Sequence, residues 1–209
     1  ASFHNRDNIT IYVDIGEDNF ELIIYELFDS DKEFFDEEFS LVPITNFTFT
    51  GSILIDGTYY YNVTVIDKVG LEGSTETRSI TLDTTPPTIN YIEPTPADNL
   101  YYNQNTFTIT TTITEANVDA VTYTLYDTTG TAVDTSPPTT STSYTFETLA
   151  DGIYTYDVKV IDKAGSEDTT LPRTITIDTT GPTVNYDDTG TLPDNSFHNQ
   201  NSIPITANI

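Results

Sequence analysis

Apolar and polar residues alternate with a period of two along much of this chain. Ile9, Ile11, Val13 and Ile15 are interleaved with Thr10, Tyr12 and Asp14, and Phe107, Ile109 and Ile113 stand against Thr106, Thr108, Thr110 and Thr112. Successive side chains of an extended strand point to opposite faces, so this period puts one face in a core and the other in solvent. Further strands are predicted through Val121, Tyr123 and Leu125, through Tyr144 and Phe146, through Tyr154, Tyr156, Val158 and Val160, and through Ile175 and Ile177. Between them lie Asp127-Thr-Thr-Gly, Ala150-Asp-Gly and Lys163-Ala-Gly. Asp bonds its own backbone in turns and Gly accepts positive φ, so these segments reverse the chain. Short strands at this spacing predict an all-β sandwich or barrel.

The pattern also repeats. Residues 56–91 and 151–186 align without a gap and match at 22 of 36 positions. A second block occurs three times, as SFHNRDNITIYVDI from Ser2, LYYNQNTFTITTTI from Leu100 and SFHNQNSIPITANI from Ser196, at spacings of 98 and 96 residues. IIYELFDS from Ile23 matches VTYTLYDT from Val121 at the same offset of 98. A fixed period of one domain length predicts a tandem array. Residues 1–85 are read as a first repeat lacking its first strand, 86–180 as a second, and 181–209 as the opening strands of a third or a donor segment.

The string DG-x-Y-x-Y-x-V-x-V-x-D-K-x-G resembles the tyrosine-corner strand of immunoglobulin-like and fibronectin-type domains, with Tyr59 and Tyr154 just after the Asp-Gly turn. The closing DTTPPT at Asp83 and DTTGPT at Asp178 resemble the joints between tandem immunoglobulin-like repeats of bacterial and archaeal cell-surface proteins. This resemblance extends over nearly the whole chain. It implies tandem immunoglobulin-like β-sandwiches outside the cell, corner tyrosines bonded back to the backbone, and a structural or adhesive stalk or filament. The immunoglobulin Cys pair and core Trp are missing, so antibody-like recognition is not implied.

The two ends of the chain are complementary. Pro86, Pro87, Thr88, Ile89, Asn90 and Tyr91 give repeat 2 its first strand, whereas repeat 1 has no such opening. Gly181, Pro182, Thr183, Val184, Asn185 and Tyr186 supply an opening strand without a domain to complete. A first residue of Ala1 reads as a processed or excerpted chain, and two readings fit: an excerpt of a longer array, or a filament subunit that polymerises head to tail by donor-strand exchange. The expected partners are therefore copies of the chain itself or adjacent repeats.

Charge narrows the chemistry. With 33 acidic against 7 basic residues the net charge is −26, which leaves no basic face to displace counterions from phosphates and excludes nucleic acid as a partner. No apolar run approaches membrane-spanning length, so no membrane insertion is expected in this segment. Catalysis is not expected: the only histidines, His4 and His198, occupy one position in two copies of a repeated block, and neither Cys nor a nucleophile or phosphate-loop motif is present.

Cations remain the natural partners, and calcium, a hard ion that prefers carboxylate and amide oxygens, is the expected cofactor if one is bound. The recurring acids are Asp67 and Asp162 after the long strand, Glu72 and Glu167 in the next loop, Asp83 and Asp178 before the joint, and Asp98 and Asp194 before Asn. The competing explanation is that Asp and Asn merely favour turns. An acidic loop from Asp29 to Glu38 lacks the glycine and spacing of an EF-hand loop and reads as a solvated or weakly cation-binding loop. N-glycosylation sequons stand at Asn8, Asn46 and Asn62, and alternation predicts that Asn62 faces solvent. Lys68 and Lys163 lie in loops, which argues against isopeptide cross-links. The alternative function is a carbohydrate-binding or accessory module of a secreted enzyme, for which Tyr101, Tyr102, Phe197 and His198 are the recurring candidates for an aromatic platform.

Overall fold

In a computed structural model, the structure describes residues 2–4, 6–50, 54–186, 205 and 207–208. The first unit contains β1 (Ser2–His4), β2 (Asn8–Tyr12), β3 (Phe20–Phe28), β4 (Phe34–Ser40), β5 (Asn46–Thr50), β6 (Gly57–Asp67), β7 (Glu72–Ser74) and β8 (Arg78–Leu82). One sheet runs β1-β8-β6-β3-β4, with β7 also on β6, and β2 pairs with β5 in the other layer. Ile9, Ile11 and Phe49 from the small layer interlock with Ile23, Tyr25, Leu27, Tyr59, Val63, Ile80 and Leu82 from the large one. Period-two strands from two sheets thus share one apolar interior, as a β-sandwich requires.

The second unit repeats the plan with β9 (Thr88–Ile92), β10 (Leu100–Tyr102), β11 (Phe107–Thr114), β12 (Val118–Tyr126), β13 (Ala132–Thr135), β14 (Ser143–Phe146), β15 (Gly152–Asp162), β16 (Glu167–Thr169) and β17 (Arg173–Ile177). Its large sheet is β10-β17-β15-β12-β13 with β16 on β15, and its small sheet is β14-β11-β9. The core is built around Phe107, Ile109, Val121, Tyr123, Phe146 and Tyr156. Beyond it, β18 (Asn185–Tyr186) pairs with β19 (Ala207–Asn208). Asn185 opposite Asn208 and Tyr186 opposite Ala207 reproduce the register of Asn90 opposite Thr112 and Tyr91 opposite Thr111. Among the described residues no helix is long and apolar enough to cross a membrane.

Three features depart from the alternation pattern or explain it. Tyr25, Tyr123 and Tyr156 are fully buried despite their hydroxyls. Each hydroxyl donates to a carbonyl at the end of the core: Tyr25 to Ile44 at 2.9 Å, Tyr123 to Ser141 at 3.0 Å, and Tyr156 to Pro96. A buried tyrosine is stable where its ring packs and its hydroxyl finds such a partner. The second departure concerns the acidic stretch expected to be a solvated loop. Only its start is a turn, where Asp29 Oδ1 accepts the amides of Asp31 and Glu33 at 2.9 Å, and the rest is the edge strand β4. Charges on an edge strand discourage pairing with other chains, so Asp36, Glu37 and Glu38 are compatible with a strand there. Third, Asn62 does not face open solvent. It is half-buried on the outer face of the central strand β6, and its Oδ1 is enclosed without a partner.

The repeated Asp-Gly and Asp-Thr-Thr strings are a single device. Asp56 Oδ1 accepts the amide and hydroxyl of Thr84 at 2.9 and 2.8 Å while Oδ2 accepts the Thr85 hydroxyl at 2.7 Å. Asp151 holds Thr179 and Thr180 in the same way. Each acid that opens the long strand therefore pins the segment leaving the domain. The Thr179 hydroxyl, with the Thr179 amide and the Thr180 hydroxyl, holds the Asp151 carboxyl below its ordinary range.

Candidate functional site

Two places bring repeated residues together in ways the core does not need. The first is the joint between the units. Asp83 ends the segment after β8, Glu115 follows β11, and Asp162 is the last residue of β15. One carboxylate oxygen from each lies within 4.8 Å of the others. The local backbone explains the convergence. A register shift between Val118 and Ala120 bends the start of β12 beside Asp162, and bulges of this kind re-aim side chains. Gly165, at φ 90°, closes the β15–β16 turn in a conformation that suits glycine, and the Ser166 amide donates to Asp162 Oδ1 at 2.8 Å. Asn117 donates its side-chain amide to Asp83 Oδ2 at 3.0 Å and accepts the Lys163 amide at 2.9 Å through its carbonyl.

Asp162 is 1% exposed and its Oδ2 has no hydrogen-bond partner. Lys163 does not neutralise the cluster, because its Nζ lies over the Phe3 ring, 5.4 Å from the centroid. Among the described residues the salt bridges are Arg78–Glu76 and Lys159–Glu167, both elsewhere. At this spacing each pair of like charges repels by roughly 3–4 kcal/mol for an effective dielectric constant of about 20.

The second place is a groove on the first unit. In the second unit β9 pairs with β11 and buries Ile89 against the core. Tyr91 packs edge-on against Tyr156 at 5.7 Å, receives the Thr170 hydroxyl at 2.7 Å and lies under the Arg173 guanidinium at 4.4 Å. In the first unit, β2, the counterpart of β11, pairs only with β5 among the described residues. The slot beside it is a groove of about 450 Å³ lined by Val13, Ile15, Val63, Val65, Leu71 and Thr75. It continues into a second hollow of about 410 Å³ that Thr75 also lines, together with Tyr61 and Arg78. Thr75 and Arg78 occupy the repeat positions of Thr170 and Arg173, so two groups that hold Tyr91 are in place with no tyrosine between them. One contact differs: Gly73 stands where Asp168 Oδ2 accepts the Ile89 amide at 3.0 Å.

The joint residues recur at the end of this groove. Glu17 and Asn19 stand where Glu115 and Asn117 do, and Asp67 where Asp162 does. The Asn19 amide donates to Glu17 Oε1 at 2.6 Å, and the Lys68 amide donates to the Asn19 carbonyl at 2.9 Å, as in the second unit. Glu17 and Asp67 both line the groove.

Of the acids singled out from sequence, Asp83 and Asp162 meet, Asp67 lines the groove with Glu72, and Asp178 is exposed with its amide donated to the Tyr102 carbonyl at 3.0 Å. Asp98 is taken up locally, its Oδ1 accepting the Thr174 amide at 2.7 Å and its Oδ2 the Asn99 side chain at 2.9 Å. Glu167 pairs with Lys159. Asp194, with Phe197 and His198, lies outside the described residues. Glu115 was not among the expected ligands, although its alignment with Glu17 was available.

The corner tyrosines bond to the backbone four residues upstream, Tyr59 to Ile55 at 3.1 Å and Tyr154 to Ala150 at 3.0 Å. Residues 181–186 are exposed, Val184 at 65% and Tyr186 at 71%. Of the sequons, Asn46 is exposed at the start of β5 and Asn8 is half-buried at the start of β2. Tyr101 is 78% exposed whereas Tyr102 packs against the core, so the two do not form one platform for a sugar ring.

Comparison with curated proteins finds no match. Among solved structures, the chain is similar to the fibronectin(III)-like modules of CbhA from Clostridium thermocellum, at 14% identity over 84% of this chain and 86% of that one, with a TM-score of 0.43. It is also similar to the amphioxus IgVJ-C2 molecule, at 15% identity over 84% of this chain and 99% of that one, with a TM-score of 0.42. A biofilm-associated protein BSP domain aligns at 16% identity over 87% of this chain and 29% of that one, with a TM-score of 0.29. Residues 95–179 match the family model of the bacterial Ig-like domain, and the fold of the chain is an immunoglobulin-like β-sandwich.

Proposed function

We propose that the chain is a non-catalytic structural module of an extracellular filament or stalk, assembled head to tail, with residues 181–186 of a second copy seated in the open groove of the first unit. The bacterial Ig-like fold suggests an extracellular structural or surface module. The observation that carries assembly is the match between groove and strand. Residues 181–186 repeat 86–91, so Val184 takes the place of Ile89 and Tyr186 that of Tyr91. Thr75 and Arg78 then receive Tyr186 as Thr170 and Arg173 receive Tyr91. The incoming strand adds backbone hydrogen bonds to the free edge of β2, and its alternate side chains enter pockets, which is how added strands gain affinity and specificity.

The test uses a synthetic peptide of residues 178–186 and the full chain. Peptide binding that raises the melting temperature of the first unit, together with light scattering that grows with protein concentration, is the expected result. A chain that stays monomeric at every concentration and ignores the peptide refutes the proposal. Arg78→Ala serves as the specificity check, because its side chain is exposed and paired only with Glu76, so it weakens peptide binding without unfolding the unit.

A further inference from the structure

We propose that Asp83, Glu115 and Asp162 bind one calcium ion that bridges the two units. The three carboxylates come from different elements and converge to within 4.8 Å, the spread expected of oxygens that share one centre at about 2.3–2.6 Å. Convergence alone is common among acidic residues. What singles out this cluster is Asp162, one of its three members, which is 1% exposed and whose Oδ2 is enclosed without a hydrogen-bond partner. A buried carboxylate oxygen without a donor is costly unless it is paired or ligates a cation. The neighbouring ammonium of Lys163 is turned onto Phe3 and does not meet that need.

The donor set selects the ion. It is all oxygen, and a chain with no cysteine and only two histidines does not offer the nitrogen and sulfur that zinc prefers. Calcium accepts six to eight oxygens in irregular arrangements, so three carboxylates with carbonyls or water completing the shell suit it better than magnesium, which demands a near-ideal octahedron. The position gives the ion a mechanical role. Asp83 belongs to the segment leaving the first unit, and Glu115 and Asp162 to the second, so a shared ion ties the joint against bending.

The arrangement also propagates, a step that rests on the assembly reading. Asp178 precedes Thr183 by the same five residues that separate Asp83 from Thr88, and Glu17, Asn19 and Asp67 repeat the acceptor side. Residues 181–186 seated in the groove of another copy therefore bring Asp178 beside Glu17 and Asp67, forming a second site of the same kind between copies.

Isothermal titration of calcium into the monomeric full chain tests the primary site. The expected result is one ion per chain, with a dissociation constant on the order of 10⁻⁴ to 10⁻³ M as for extracellular modules. Glu115→Gln and Asp162→Asn weaken it tenfold or more, whereas Asp98→Asn leaves it unchanged. Asn at 162 retains an acceptor for the Ser166 amide, and circular dichroism of each variant checks that the fold persists. Absence of binding at 10-fold excess over that range, equal loss in Asp98→Asn, or equally tight magnesium binding overturns the proposal. Adding the peptide of residues 178–186 raises the stoichiometry to two ions if strands exchange. Failure of assembly leaves one ion per chain, and failure of the calcium site leaves none.

Discussion

Replacing Ile89 and Val184 with alanine, one at a time, separates a strand whose side chains are seated in a core from one whose side chains are exposed. The two residues occupy the same repeat position. Ile89 is 5% exposed and belongs to the second core, and Val184 is 65% exposed. Truncating a buried Ile removes transfer free energy and leaves a cavity, at a cost of about 2–4 kcal/mol. Ile89 lies on the edge strand β9, where the layer collapses more easily than at its centre, so the lower half of that range applies. With a urea slope of about 1.5 kcal/mol/M for a domain of this size, the midpoint of the second unit falls by roughly 1.3–2 M. Val184→Ala on the free chain changes stability by less than about 0.5 kcal/mol, because nothing buried is lost. Its effect is on association. Two methyl groups that would enter the groove are missing, about 1.5 kcal/mol at 0.8 kcal/mol per buried carbon, which is close to tenfold in dissociation constant. Urea titration followed by tyrosine fluorescence reads the first quantity and sedimentation velocity the second. The reasoning fails if Val184→Ala unfolds as readily as Ile89→Ala, or if it leaves association untouched.

Other expectations follow from the same contacts. Tyr154→Phe removes the bond to the Ala150 carbonyl and costs its domain about 1 kcal/mol, read as a lower melting temperature; an unchanged melting curve refutes the tyrosine-corner role. The Asp151 carboxyl is depressed from its ordinary value of 3.8 in the folded state by the Thr179 and Thr180 contacts. Its contribution is therefore fully present above that value and is lost as pH falls through the lower folded value. The stability gap between the parent chain and Asp151→Asn, followed by thermal melts from pH 6 to pH 2, should narrow as pH falls below the ordinary value of 3.8; a gap that is as wide at pH 2 as at pH 6 contradicts the clasp.

Much of this architecture was legible because two local rules agreed. Period-two alternation placed Ile9, Ile11, Phe107, Ile109, Val121 and Leu125 on inner faces, and all six are buried. The repeat then related the strands of one unit to those of the other, except β9, which has no counterpart among the described residues of the first. Alternation misled where burial depends on neighbours rather than on the residue itself. Asn62 sits on the outward side of its strand, yet β6 runs between β3 and β8, and adjacent side chains cover it. The acidic run from Asp29 to Glu38 reads as a loop by its charge, although Phe34 and Phe35 lie within it and Phe39 follows it. Pairing with β3 supplies the backbone bonds that charge alone does not oppose on a solvated edge.

The joint shows why a site is harder to read than a core. Core positions announce themselves by residue type, since each needs only to be apolar and to alternate. Ligands announce themselves by meeting, and Asp83, Glu115 and Asp162 are brought together by a bulge, a glycine turn and the crossing from one unit to the next, none of which leaves a periodic signal. The repeat supplied a usable signal that residue type did not. Glu17 with Asn19 and Glu115 with Asn117 share a spacing of two in each copy, and both pairs use the side chain to cap the following Asn amide. A capping acid kept at the same place in both units, beside a turn whose Asp is also kept, holds two carboxylates at the same end of each sandwich. The third ligand comes only from the unit before, so the joint is the smallest piece of this protein on which calcium binding can be judged.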